Sequence, residues 1–263
     1  MQALNRYTEI EEFFKKIPVA PERVLMLDYD GTLAPFHLRP HLAYPYPEVV
    51  DALDCLMGDS GTRVVIISGR RAEEIMPLLR LTRQPEIWGN HGWERLSPDG
   101  ELTLREVGAD ARDLLERAHS TAEGALDFGA RLERKPASVA LHWRGLPIIK
   151  RLKAQAWINA AWNPLVSQDG LELLPFNGGL EVMVRGEHKG HAVRSVLADA
   201  PAGSLVAYLG DDLTDEEAFR EVQQRGLGVL VRDRPRDTQA NLWIRPPHEL
   251  RRFIRHWCRE TRQ

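Results

Sequence analysis

Leu25–Phe36 reads LMLDYDGTLAPF. A short apolar run ends on Asp28, a second acid follows at Asp30, and Gly31 turns the chain. Such a run, bounded by turn residues, reads as a buried parallel strand. Asp28 then stands at the strand's carboxyl end, where open α/β sheets place their ligand sites. Two carboxylates so close repel each other. A strand closing on an Asp-Gly turn with both acids in water accounts for them. So does a divalent cation, which cancels the repulsion and screens an incoming phosphate. In that second case Asp28 is placed to attack an electrophilic centre such as phosphorus, and Asp30 to protonate the leaving oxygen.

Working outward, similar runs recur at Val24–Leu27, Val64–Ile67, Leu205–Leu209 and Gly228–Val231. They alternate with helically spaced apolar residues in Glu48–Met57, Ala72–Leu79, Asp215–Arg225 and His248–Arg259. Both ends of the chain therefore predict one α/β layer system, a Rossmann-like, doubly wound parallel-sheet core. The middle follows another order. A helix over Ala109–Glu123, strands over Arg131–Glu133 and Ser138–Arg144, and a helix over Pro147–Trp162 precede a hairpin. That hairpin joins Leu171–Phe176 and Leu180–Arg185 around Asn177-Gly178-Gly179. We expect an α+β domain over 96–186, inserted into a core made of 1–95 and 187–263. Ser97-Pro98-Asp99-Gly100 marks a turn near the first edge.

The chain has 263 residues, 43% hydrophobic and 28% charged, with a net charge of -3. These are the proportions of a globular enzyme, and the charge argues against a nucleic-acid partner. No apolar run approaches the roughly 20 residues of a membrane span. The start, MQALNRYTEIEEFFKK, has no basic region followed by an apolar core, so no secretory leader is expected. The two cysteines, Cys55 and Cys258, lie far apart in no metal-type spacing and read as reduced thiols in a reducing compartment. A cytoplasmic protein is expected. The seven tryptophans read as packing residues, and the basic, amphipathic RRFIRHWCRETR as a terminal helix with a solvated face.

Other chemistry-bearing residues also fall at strand ends or helix starts. Val64–Ile67 runs into Ser68-Gly69-Arg70, a hydroxyl before a helix N-terminus, which favours anions. Lys189 opens a helical stretch. Leu205–Leu209 runs into GDDLTDE, Gly210–Glu216, with four acids in six positions. Thr214 and Glu217 there fit a capping box, yet so dense an acid cluster after a buried strand points to a hard cation held by oxygen, magnesium where phosphate is handled.

DYDGTL, the Ser68 strand end, Lys189 and GDDLTDE together resemble the four motifs of the haloacid-dehalogenase-type phosphatases. More narrowly, Asp28–Leu33, Ser68–Arg70, Asn90-His91-Gly92, Glu133-Arg134-Lys135 and Gly210–Glu216 resemble the trehalose-phosphatase family, nearly end to end. The resemblance implies a HAD-like core with an α+β cap. It implies an aspartyl-phosphate at Asp28, with Asp30 as acid and then base. It implies Mg2+ held by Asp28, the backbone carbonyl of Asp30 and Asp211, with Asp212 and Asp215 nearby. Ser68 and Lys189 would hold the phosphoryl oxygens, and Thr32 would order the first loop.

For the substrate, Glu133 and Lys135 are two apart on an expected strand and share a face. With Glu181 they can accept from and donate to sugar hydroxyls, and the resemblance implies that they read the sugar without the reacting phosphate. From the residues alone, solvated charges on an exposed strand are the commoner explanation of them. His91 reads as touching either sugar or a loop backbone, Asn90 stands where the family more often has another residue, and Arg70 reads as contacting phosphate, sugar or only solvent. The expected substrate is trehalose 6-phosphate. The alternatives are another sugar phosphate, such as sucrose or glucosylglycerate phosphate, and a receiver-like phospho-accepting module, against which Asp30 speaks.

Overall fold

A computed structural model of the chain describes residues 10–59, 61–167, 170–186 and 188–262. The first nine residues, part of the stretch from which no leader was expected, and residue 187, the expected start of the second core segment, lie outside them. The chain divides into two compact units, one of residues 1–103 and 188–263 and the other of 104–187.

The larger unit is built on β1 (Arg23–Leu27), whose sequence RVLML is almost wholly buried. It pairs in parallel with β2 (Thr62–Ile67) on one side and β10 (Leu205–Gly210) on the other. Parallel pairing continues outward to β3 (Glu86–Gly89) beyond β2, and to β11 (Leu227–Val231) and β12 (Leu242–Ile244) beyond β10. β4 (Glu94–Leu96) adds antiparallel to β3, and β5 (Leu102–Leu104) completes an eight-stranded sheet ordered β12-β11-β10-β1-β2-β3-β4-β5. Alternate residues leave opposite faces of a strand, and both faces here are apolar. Leu25, Leu27, Val64 and Ile66 meet α1 (Pro47–Asp59), α2 (Ala72–Leu79) and α7 (His248–Glu260). Val24, Met26, Val65 and Tyr208 meet α5 (Lys189–Asp199) and α6 (Glu216–Val222). The result is the expected doubly wound core, with β1 and β10 side by side at its centre.

The second unit stands on its own core. Its four-stranded antiparallel sheet runs β6 (Arg131–Arg134), β7 (Ser138–His142), β9 (Gly179–Val184), β8 (Leu171–Phe176). α3 (Ala109–Ala122) and α4 (Ile148–Val166) cover one face, where Leu115, Ile158 and Trp162 pack on Val139, Leu141 and Val182. The buried indole of Trp162 donates to the Ala118 carbonyl at 2.9 Å.

Three expectations change. The inserted unit begins at 104 rather than 96, because the Ser97–Gly100 turn leads β5 back onto the core sheet. The helix expected over 215–225 is shorter: a 3-10 turn, Leu213–Asp215, precedes α6, which ends at Val222. Gly226 follows because a Cβ there would lie 2.0 Å from the Val206 carbonyl oxygen. Cys55 and Cys258 are not free thiols but a disulfide, since α1 and α7 lie on one face of the sheet and bring their Cα atoms within 6.6 Å. A separation of 203 residues carried no sign of that pairing. It removes the argument for a reducing compartment that rested on those thiols. Among the described residues, no helix is long and apolar enough to cross a membrane.

Candidate active site

Asp28 follows the last residue of β1, and its backbone N–H bonds the Leu209 carbonyl of β10 at 2.8 Å, so the ladder itself fixes its place. The carboxylate is buried. Oδ1 accepts from Lys189 Nζ at 2.6 Å, and Oδ2 from Thr32 Oγ1 at 3.3 Å. Lys189 opens α5, behind a His188 N-cap whose Nδ1 accepts from Gly190 N. Its Nζ also reaches Asp215 Oδ1 at 2.7 Å. Asp215 is fully buried. Oδ1 also accepts from the Tyr208 hydroxyl, while Oδ2 accepts the backbone N–H groups of Asp211 and Asp212, each at 2.9 Å. Asp215 thus ties down the acidic loop after β10 as well as holding Lys189.

Asp28, Asp211 and Asp215 each offer a carboxylate oxygen within 4.8 Å of the others. Three acids face one ammonium. Burial pushes the Asp28 carboxyl up to about 7, against the pull of Lys189 and with the help of Asp215. Burial, then the charges of Asp28 and Asp215, push Asp211 well above the carboxylate range. Burial works to discharge Lys189, but Asp215 and Asp28 outweigh it and hold the ammonium above the usual lysine range. Among the described residues, Asp211 Oδ1 is buried without a hydrogen-bond partner. An unsatisfied oxygen and surplus negative charge, from hard oxygen donors alone, fit a divalent cation such as Mg2+. Gly31 makes room for this arrangement: it sits at φ +89°, and a Cβ there would lie 2.2 Å from Asp211 Oδ2.

Asp30 and Asp212 do not bring their carboxylates into that group. Asp212 Oδ1 caps the following turn, accepting from Leu213 N at 2.8 Å. Asp30 is gripped by Arg70, whose Nε and Nη2 donate to its two oxygens at 2.5 and 2.6 Å. Arg70 also donates to the Pro40 carbonyl at 2.9 Å and lies over the Tyr29 ring. The guanidinium expected at phosphate or sugar is therefore engaged with the second acid. Ser68 is buried at the end of β2, and its Oγ accepts from Arg70 N at 3.2 Å. Asn90 and His91 are buried in a 3-10 turn, both at positive φ, with Asn90 N bonding Arg70 O and His91 N bonding Ser68 O. The His91 ring fills the space over Gly69, where a Cβ would lie 2.6 Å from Nε2.

Glu133, Lys135 and Glu181 gather within the second unit. Lys135 Nζ lies 3.0 Å from Glu181 Oε1, which also accepts from the Ser138 hydroxyl. Glu133 Oε2 meets His142 Nε2 at 2.8 Å and Arg131 Nη1 at 3.1 Å. Burial alone would raise the Glu133 carboxyl, but the close His142 imidazole and the Lys135 charge take it down to about 2. Ser138 and His142 were missed, although the alternation in SVALH puts both on the polar face of β7. Tyr208 was missed too, its hydroxyl hidden in an otherwise apolar strand.

A family model described as trehalose-phosphatase matches residues 26–243. The chain is 33% identical over 245 residues to the trehalose-phosphate phosphatase of Mycobacterium ulcerans (strain Agy99), covering 89% of this chain and 60% of that protein. It is 32% identical over 218 residues to the trehalose-6-phosphate phosphatase of Escherichia coli (strain K12), covering 81% of this chain and 78% of that one. The solved C-terminal domain of the C. albicans trehalose-6-phosphate phosphatase shares the fold, with a TM-score of 0.83 at 20% identity, over 94% of this chain and 96% of that one. The chain thus spans 60% of the length of the mycobacterial relative. With the family model covering most of its length, the chain belongs to the trehalose-phosphatase family.

Proposed function

We propose that this chain is a magnesium-dependent phosphatase that converts trehalose 6-phosphate to trehalose and inorganic phosphate through an aspartyl-phosphate on Asp28. Asp28, Asp211 and Asp215 would hold Mg2+, with Asp212 and the Asp30 carbonyl nearby. When bound, the ion supplies the positive charge that offsets the three acids and screens the incoming phosphate. An Asp28 oxygen attacks phosphorus as the bond from phosphorus to the sugar oxygen breaks. Asp30 gives that oxygen its proton, for which Arg70 must release one of the two carboxylate oxygens it grips. Asp30 then takes a proton from water, the water oxygen attacks the aspartyl-phosphate, and Asp28 is regenerated as phosphate leaves. Lys189 and Ser68 hold the phosphoryl oxygens as charge spreads over them. Thr32 keeps Asp28 aimed through Oδ2. Glu133, Lys135 and Glu181 read the hydroxyls of the second sugar, while Asn90 and His91 shape the loop beside Ser68.

The observation that carries this reading is the buried Asp28–Lys189–Asp215 chain beside the unsatisfied Asp211 oxygen, at the end of the strands that bear the family's motifs. The test is phosphate release from trehalose 6-phosphate, sucrose 6-phosphate, glucosylglycerate phosphate and glucose 6-phosphate, with Mg2+ and with chelator. Trehalose 6-phosphate should have the highest kcat/KM, lost in chelator and in Asp28→Asn. A different preferred substrate would overturn the substrate assignment. Undiminished turnover by Asp28→Asn would overturn the chemistry.

A further inference from the structure

The face of the second unit's sheet that α3 and α4 leave uncovered carries an ordered set of polar side chains. Directly paired residues in antiparallel strands share a face. The register pairs Glu133 with Ala140 and Ala140 with Glu181, and pairs Arg131 with His142 and His142 with Gly179. His142 therefore stands beside Glu133 on the face that bears Glu181.

What seats the imidazole is an aromatic ring. Gly179 has no side chain, and a Cβ there would lie 1.9 Å from Phe176 Cζ, so the Phe176 ring occupies that place. The His142 ring packs against it, centroids 5.1 Å apart and planes inclined at 61°. Held there, Nε2 lies 2.8 Å from Glu133 Oε2. Lys135 and Glu181 are nearly closed off, with side chains 7% and 3% exposed, whereas those of His142 and Glu133 remain 25% and 23% exposed. An accessible carboxylate of fixed direction, flanked by an aromatic surface, suits a hexose. Its hydroxyls need directed acceptors, and its C–H face needs an apolar wall.

We infer that His142, seated on Phe176, is a further specificity-determining residue, which aims Glu133 at the non-phosphorylated hexose of a disaccharide phosphate and flanks that ring. The inference rests on the proposed function for its substrate class. It makes His142 a positioning residue for recognition, with no part in phosphoryl transfer.

The test compares parent, His142→Ala and His142→Gln on trehalose 6-phosphate, sucrose 6-phosphate and p-nitrophenyl phosphate, which carries no sugar, after matching their thermal midpoints. If an unaimed Glu133 loses one hydrogen bond to a sugar hydroxyl, affinity falls about tenfold. His142→Ala should raise KM about tenfold on the disaccharide phosphate that the parent prefers, with kcat within about twofold. p-Nitrophenyl phosphate should be unaffected. His142→Gln, whose amide N–H can still reach Glu133, should recover most of the loss. An unchanged KM on the preferred disaccharide, or an equal loss on p-nitrophenyl phosphate, would overturn the inference and leave the proposed function standing. A parent that prefers sucrose 6-phosphate would overturn the substrate assignment alone, and the His142→Ala loss on that sugar would still support the inference. A parent with no preference for any disaccharide phosphate would overturn both.

Discussion

Lys189→Met exposes how the site is balanced. The Lys189 ammonium sits 2.6 Å from Asp28 and 2.7 Å from Asp215, and all three side chains are at most 5% exposed. Removing one partner from a buried ion pair costs about 3–5 kcal/mol, because the other charge stays buried without compensation. Here two carboxylates lose their shared partner, with the third acid, Asp211, beside them. Asp28 can answer by taking up a proton, since burial already holds it near 7. Losing Lys189 removes the charge that pulls Asp28 down, so its carboxyl moves further up in the variant; a neutral Asp28 needs no counter-charge, and the penalty grows as pH rises. At pH 8.5 in chelator we therefore expect a loss of about 4 kcal/mol, or a midpoint lower by about 8–15 °C. At pH 5.5 the loss should be smaller. Millimolar Mg2+ at pH 8.5 should restore part of the midpoint, because a dication supplies the missing positive charge. Thermal unfolding by circular dichroism reads all three conditions. A variant as stable as its parent in chelator at pH 8.5 would refute the reasoning.

Three further outcomes follow from other parts of the molecule. Gly31→Ala places a Cβ against Asp211 Oδ2 in a backbone at φ +89°. It should cost about 1–2 kcal/mol and raise the Mg2+ concentration for half-maximal phosphate release about tenfold or more, as an Mg2+ titration would show. Glu133 has its carboxyl lowered from 4.5 to about 2, so its stabilisation is present above pH 4.5 and lost as pH falls through 2. Parent and Glu133→Gln should differ by at most about 3 kcal/mol at pH 6, converging toward pH 2 in urea titrations. Cys258→Ser opens a loop of 203 residues. It should lower stability by up to about 5 kcal/mol, and reductant should shift the parent's unfolding midpoint toward the variant's.

The core was legible because its strands are buried on both faces. Val24–Leu27 has no polar residue to confuse its period and Leu205–Leu209 only the Tyr208 hydroxyl, and their ends coincide with Asp28 and Asp211. The inserted unit was legible from its hairpin signal at Asn177–Gly179. Its first edge was not, because Leu102–Leu104 is short and exposed and only its pairing assigns it to the core sheet. Long-range partners were the least legible. Nothing local in Cys55 points to Cys258, and nothing in Ser-Gly-Arg says that Arg70 grips Asp30 across 40 residues. Side-chain direction was also hidden: GDDLTDE shows four acids, but the capping geometry turns Asp212 onto Leu213 and Asp215 inward to Lys189. His142 could have been found from the alternation of β7, had that face been weighed along with Glu133.

The central claim is that Asp28 accepts the phosphoryl group. The direct measurement is to mix the protein with trehalose 6-phosphate and Mg2+, quench in acid within the first turnover, digest, and locate any phosphoryl adduct by mass spectrometry. The adduct should be on Asp28, absent in Asp28→Asn, and gone once substrate is exhausted. Steady turnover with an adduct on another residue, or with no adduct at any quench time, would contradict the account.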